Sequence, residues 1–139
     1  MGAATSLVSI LLVGQAKNCR DIKAALRKSG LKHEVLEAID CEQAKTLLTE
    51  GKATVIICYR DLGDDTTWRD LLEHTRETES KPSFVVCCRH ASPSFWAEAF
   101  NLGAHDVLLT EPAVVHAELL HIVGSAHRNC PRAKAANLA

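Results

Sequence analysis

The chain alternates between short apolar runs and longer segments in which apolar residues recur at helical spacing. Four of the runs are almost continuously apolar, which is typical of strands buried on both faces. The run HEVLEAI instead alternates polar and apolar residues and predicts an edge strand with one solvent-facing side. The five predicted strands span residues 9–14, 33–39, 53–58, 82–88 and 105–110.

Each apolar run is followed by a segment with the spacing and the boundary residues of a helix. Asn18, Asp40 and Ser92 stand where N-cap residues are expected, and Gln43 follows Asp40 at the spacing of a capping box. Pro93 suits a first helical position, where no N–H is needed. Glycines close three of the segments. The five predicted helices span residues 18–30, 40–51, 66–77, 92–103 and 112–129.

Five strand–helix units in strict alternation predict an α/β fold of three layers, with a parallel sheet and helices on both faces. Right-handed connections and a switch in strand order make such a sheet doubly wound. Its working site is expected beyond the carboxyl ends of the strands. We expect a single domain over residues 1–128 and a flexible tail over residues 129–139.

Composition narrows the functional classes. The chain has 139 residues, a net charge of −1 and a pI near 6.6, so there is no electrostatic case for binding nucleic acid or an acidic membrane surface. Its longest early apolar stretch, LVSILLV, is too short to span a bilayer, so we expect a cytoplasmic protein. Six cysteines lack the spacing of a zinc site, and most are expected to be small buried side chains.

The order and spacing of three segments resemble the response-regulator receiver domain, the CheY-like fold of two-component signalling. ILLVGQAKN stands where that family has its first strand and acid pair, PSFVVCC matches its fourth strand, and GAHDVLLTEP matches its Gly-Ala-x-Asp turn and Lys-Pro. The resemblance covers residues 7–128. It implies a flavodoxin-like five-stranded sheet with strand order 2-1-3-4-5.

The resemblance also implies where phosphorylation chemistry would lie, and the chain departs from the family at each of these positions. Gly14 and Gln15 match the acid pair that would hold Mg²⁺, and neither carries a carboxylate. Cys58 matches the phosphoacceptor Asp. The remaining switch positions, which lack the family's hydroxyl, aromatic and lysine groups, correspond to Cys87, Val107 and either Thr110 or Glu111.

Three acids just beyond Cys58 offer an alternative, because carboxylates within one loop are able to hold a cation. The other interpretation is a solvated loop whose acids favour the N-terminus of the next helix. Without an acid pair across the crevice, we favour the solvated loop. These candidate loop acids are Asp61, Asp64 and Asp65.

The favoured function is a receiver-like signalling module, not an enzyme, that cannot be phosphorylated, needs no cofactor or metal, and acts by binding a protein partner or a second copy of itself. The resemblance implies an interface built by the fourth helix, fifth strand and fifth helix. Trp96 and Phe100 lie on a second apolar stripe of the fourth helix, so at least one aromatic is expected at the surface. Two alternatives stay open: a redox switch between Cys58 and Cys87, and a small ligand in the same crevice.

Overall fold

The computed structural model describes residues 7–62 and 67–131. Five parallel strands form one sheet in the order β2-β1-β3-β4-β5, which confirms the predicted fold class. In the described residues, no helix has the length and hydropathy needed to cross a membrane. The strands are β1 (Val8–Val13), β2 (His33–Ala38), β3 (Val55–Tyr59), β4 (Ser83–Cys88) and β5 (Asp106–Leu109). The helices are α1 (Ala16–Ser29), α2 (Cys41–Leu48), α3 (Trp68–Glu77), α4 (Pro93–Leu102) and α5 (Pro112–Asn129).

The sheet separates two apolar clusters, because successive side chains of a strand point to opposite faces. One cluster contains Ile56 and Cys58 of β3 and packs against α2, α3 and α4. The other contains Ile57 and Tyr59 and packs against α1 and α5. All residues of β1, β3 and β4 are buried, as their apolar runs predict. The edge strand β2 is partly exposed, and Leu36 keeps 40% of its surface.

Local capping follows the sequence at three helices. The Asp40 side chain accepts a hydrogen bond from the backbone N–H of Gln43, and the Gln43 side chain accepts one from Ile39 N–H. Ser92 accepts from Phe95 N–H, and Gly103 ends α4 in the left-handed conformation with φ of 106°. The backbone N–H of Thr67 donates to Asp70 at the start of α3.

Some predicted boundaries were wrong. Helix α1 begins at Ala16 with Gln15 as its N-cap, so Asn18 lies inside the helix and is not its cap. Strand β3 continues through Tyr59 rather than ending at Cys58. At the other end of the chain, α5 includes Asn129 and Cys130 is buried, so packing extends past the predicted start of the tail. Residues 132–139 lie outside the described residues.

Two histidines tie the end of α5 to the body of the domain. His127 is only 6% exposed, and its Nδ1 lies 2.8 Å from Thr54 Oγ1, just before β3. His105, just before β5, has its Nε2 3.1 Å from Ser125 Oγ. Burial lowers the pKa of both imidazoles below the ordinary value of 6.5. For His127 the nearby Arg128 lowers the pKa further, whereas Asp106 opposes the shift at His105.

A histidine whose pKa is lower in the folded state binds protons more readily when unfolded, so the stability it supports is complete above the unfolded pKa. We therefore expect the free energy of unfolding to decline as pH falls below about 6.5. Urea unfolding at about pH 7.5 and about pH 5.5 measures this decline. His127→Gln should reduce it, whereas His121→Gln, at an exposed position on the same helix, should not. Equal declines in all three proteins would contradict the assignment to His127.

Candidate functional site

The carboxyl ends of β1 and β3 meet where the strand order reverses, because β2 lies on one side of β1 and β3 on the other. In open parallel sheets, this switch point is the usual position of a ligand crevice. Val13 pairs with Cys58 in the register of β1 and β3, and Cys58 pairs with Val86 of β4. Gly14 directly follows β1, and its N–H donates to Ala38 O.

The Tyr59 side chain fills the space beside Gly14. A Cβ atom built on Gly14 would lie 2.8 Å from Tyr59 Cδ2, which is closer than two carbon atoms can pack. The phenol Oη donates to the backbone carbonyl of Asn18 in α1 at 2.6 Å, and Tyr59 is only 9% exposed. Burial raises the pKa of the phenol well above its ordinary value of 10.0. An uncharged ring therefore closes the β1 side of the crevice, and position 14 has no room for a side chain.

Cys58 is enclosed completely by the sheet and the helices on its α3 face. Burial raises the pKa of its thiol far above the ordinary value of 9.0, and the neighbouring Cys41 and Cys19 raise it further. A thiol is nucleophilic only as the thiolate, so Cys58 is not an activated nucleophile. All six cysteines are buried and unbridged, which is the environment predicted for small core side chains.

Cys58 and Cys87 lie on neighbouring strands, as predicted, but they do not share a face. Cys58 pairs with Val86, whereas Cys87 pairs with Tyr59. Their side chains accordingly belong to different clusters, Cys58 on the α3 side and Cys87 on the α1 side. Burial also raises the pKa of Cys87 well above 9.0. The redox alternative requires the two thiols to meet on one face of the sheet. They do not, because the register places the two residues one position apart and the side chains alternate.

The other matched positions bring no charge into the crevice. Gln15 is exposed, Val107 is buried, and Thr110 is half-buried with its N–H donating to Cys88 O. Glu111, the alternative to Thr110, is exposed at the start of α5. Across residues 7–62 and 67–131, no three His, Cys, Asp or Glu side chains are grouped so as to hold a metal ion.

The loop acids are only partly placed. Asp61 is exposed beside a small cavity of about 190 Å³ that Tyr59 and Arg60 also line. Asp64 and Asp65 lie outside the described residues. Arg60, which the sequence analysis did not single out, is held against α4: its Nη1 donates to His90 O at 3.2 Å and its Cζ lies 5.0 Å from the centre of the Phe95 ring.

Comparisons with known proteins identify the architecture. No protein-family model and no curated protein matches the sequence. Among solved structures, a response-regulator receiver domain protein from Clostridium thermocellum is 20% identical, with a TM-score of 0.73 over 87% of this chain and 94% of that one. The N-terminal domain of a response regulator/sensory box/GGDEF protein from Carboxydothermus hydrogenoformans is 20% identical, with a TM-score of 0.71 over 94% and 99% of the two chains. Chemotaxis protein CheY4 of Vibrio cholerae is 18% identical, with a TM-score of 0.70 over 84% and 99%.

The chain has the receiver-domain fold. Identities of 17–22% over most of the chain mean that this likeness is carried by the backbone and the buried apolar pattern. At the switch point of this fold, the Tyr59 ring packs against Gly14, and the buried thiol of Cys58 lies near the end of the third strand.

The α4–β5–α5 side of the receiver fold carries the candidate interface residues. Trp96 is half-buried and stacks on Phe100, with ring centres 5.8 Å apart and planes inclined by 25°. Phe100 keeps 46% of its surface exposed, as expected for the second apolar stripe. Leu120 of α5 is also largely exposed. A cavity of about 130 Å³ lies between α4 and α5, with Trp96 and Val107 in its wall.

The contact between Gly14 and Tyr59 is testable by a double-mutant cycle. Gly14→Ala should lower the free energy of unfolding by roughly 1–3 kcal/mol, because the new methyl group overlaps the ring. In a Tyr59→Ala background, the same change should cost much less, since the ring is gone. Denaturant unfolding measures both costs. Gly124→Ala inside α5 is the control, because its new methyl group meets only the end of the flexible Arg128 side chain. Equal costs of Gly14→Ala in both backgrounds would mean that Tyr59 does not restrict position 14.

Proposed function

We propose that this chain is a receiver-like signal-transduction domain that is not phosphorylated and acts through protein–protein interaction. The receiver fold supports a role in signalling. The proposed absence of phosphorylation rests on the Tyr59 ring, which packs against Gly14. The ring takes the space in which an acid at position 14 would meet a divalent cation.

The third-strand position argues in the same direction. A phosphoacceptor must reach solvent and the donor, whereas Cys58 has no exposed surface. Its thiol remains protonated because burial raises its pKa. Gln15 supplies no carboxylate, and Thr110 or Glu111 supplies no positive charge for phosphoryl oxygens. We therefore propose that the domain has no enzymatic activity of its own and requires neither a metal ion nor a cofactor.

Partner binding is assigned to the α4–β5–α5 face. Exposed aromatic side chains are enriched at protein interfaces and frequently contribute much of the binding energy. Phe100 is exposed and stacks on the half-buried Trp96, which lines the α4–α5 cavity. The occupant is a protein partner or a second copy of this chain. Six unbridged thiols suit a reducing compartment, so we propose that the protein works in the cytoplasm.

Incubation with acetyl phosphate and millimolar Mg²⁺ tests the loss of phosphorylation. Intact-mass measurement should find no phosphoryl adduct, because no acidic residue of the described crevice is placed to hold the cation. Tryptophan fluorescence of the adjoining α3, through Trp68, should not change with Mg²⁺. An adduct that disappears in Asp61→Asn would contradict the proposal and assign the acceptor to the loop.

Light scattering over a dilution series tests self-association through the proposed face. If the wild type dimerises there, Phe100→Ser should weaken association roughly tenfold or more, as expected on removal of a well-packed aromatic contact. Leu36→Ser is the matched control, because Leu36 is similarly exposed but lies on the opposite edge of the sheet. A wild type that remains monomeric throughout excludes the homodimer. Equal weakening by both substitutions would exclude this face as the interface.

A further inference from the structure

A chemically distinctive opening lies at the opposite end of the sheet from the crevice. It is a cavity of about 560 Å³ where β4 begins, between the last turn of α3 and the turn from α4 into β5. Cavities of roughly 300–1,000 Å³ are typical of small-molecule sites. The carboxyl-end crevice that the receiver fold uses is at the far end of the same strands, so this cavity is a separate feature.

Two cationic side chains line the cavity, Arg76 of α3 and Lys81 of the loop before β4. No carboxylate is among its described lining residues. Arg76 is held in place by Leu102, whose carbonyl accepts from its Nη1 at 3.1 Å, and by contact with Gly103. That is the only hydrogen bond the Arg76 guanidinium makes to a described residue, and a guanidinium has five N–H donors. The wall therefore presents positive charge with spare donors.

Lys81 adopts a strained backbone conformation at the mouth of this cavity. Its φ is +45°, in the left-handed region that residues other than glycine and asparagine seldom adopt. A lysine at such a position costs stability that glycine would recover. Strain of this kind is concentrated at functional sites, where the side chain is needed for another purpose.

Ser83, the first residue of β4, adds a buried polar group. It is 7% exposed and its N–H donates to Thr54 O at 3.0 Å. Among the described residues, no enclosed side-chain nitrogen or oxygen lacks a hydrogen-bond partner, so the Ser83 hydroxyl is not a sealed, unpaired group. Ser83 also lines the cavity, so it adds a polar residue to the wall that contains Arg76 and Lys81. Beside it, Leu72 and Phe84 form an apolar floor.

We propose that this cavity binds a small organic anion, with an apolar body on Leu72 and Phe84 and a phosphate or carboxylate group held by Arg76 and Lys81. The Ser83 hydroxyl donates to the same anionic group or to a polar atom next to it. Charge-assisted hydrogen bonds from a guanidinium are strong and frequently bidentate, which suits oxyanions.

Phenyl phosphate is the probe, because it combines an aromatic body with a phosphate in one small molecule. Titration of the intact protein, followed by the backbone amide NMR resonances of Phe84, Gly103 and Ala104, should give saturable shifts. Inorganic phosphate has the anionic group without the aromatic body, and phenol has the aromatic body without the phosphate. Each should bind at least about tenfold more weakly than phenyl phosphate. Titration with benzoate in the same assay measures whether the site accepts a carboxylate in place of a phosphate. Absence of saturable shifts with both phenyl phosphate and benzoate overturns the proposal.

Variants separate this site from general attraction of anions to a protein surface. Arg76→Gln should weaken phenyl phosphate binding about tenfold or more. Arg69→Gln, on the same helix but outside the cavity, should leave it unchanged. Lys81→Gly should raise the midpoint of thermal unfolding and weaken binding together, a combination that a purely structural lysine would not give. Equal effects of Arg76→Gln and Arg69→Gln, or unchanged affinity in Lys81→Gly, overturn the assignment.

Discussion

The strand β3 has both faces buried, and most of the local structure follows from this constraint. A parallel strand between two others cannot leave a side chain in solvent, so its residues are divided by alternation between two apolar clusters. Ile56 and Cys58 pack on the α3 side, and Ile57 and Tyr59 on the α1 side. The same division separates Cys58 from Cys87 and directs the Tyr59 ring toward Gly14.

The division of β3 side chains between the two faces also determines which chemical groups lie at the carboxyl end of the sheet. A cation site needs several oxygen ligands converging on one point. Here a phenol occupies the β1 side of the crevice and is anchored to Asn18 of α1, while a protonated thiol fills the adjoining position of β3. The Tyr59 ring and the absence of a side chain at position 14 are physically linked, because the ring leaves no space for a Cβ atom there. Apolar packing thus fills the positions at which the resemblance to receiver domains implies acidic groups.

The two ends of the sheet differ in chemical character. At the carboxyl end, Arg60 is committed to His90 and the Phe95 ring, and the nearby cavity is small. At the amino end, a larger cavity combines two cations, a serine and an apolar floor. The stacked pair of exposed Phe100 and half-buried Trp96 lies in a third region, along α4. The proposed surface for proteins and the proposed site for a small anion therefore lie in separate regions of the domain.

The sequence by itself determined the kinds of elements and their order, because these depend on interactions within a few residues. Apolar runs marked the buried strands, and Asp40, Ser92 and Gly103 marked helix ends through bonds to their near neighbours. The resemblance to receiver domains supplied the strand order, and the alternation of side chains was visible in the sequence.

Only the tertiary structure decided which side chains meet. The register between β3 and β4 placed Cys58 opposite Val86 rather than Cys87, and that register results from the packing of the whole sheet. Tyr59 contacts residues more than 40 positions earlier in the chain, so its position over Gly14 has no local signal. The amino-end cavity likewise brings Arg76, Ser83 and Gly103 together from separate elements. Local patterns specify which face a residue occupies, but contacts between distant segments depend on how all the elements pack together.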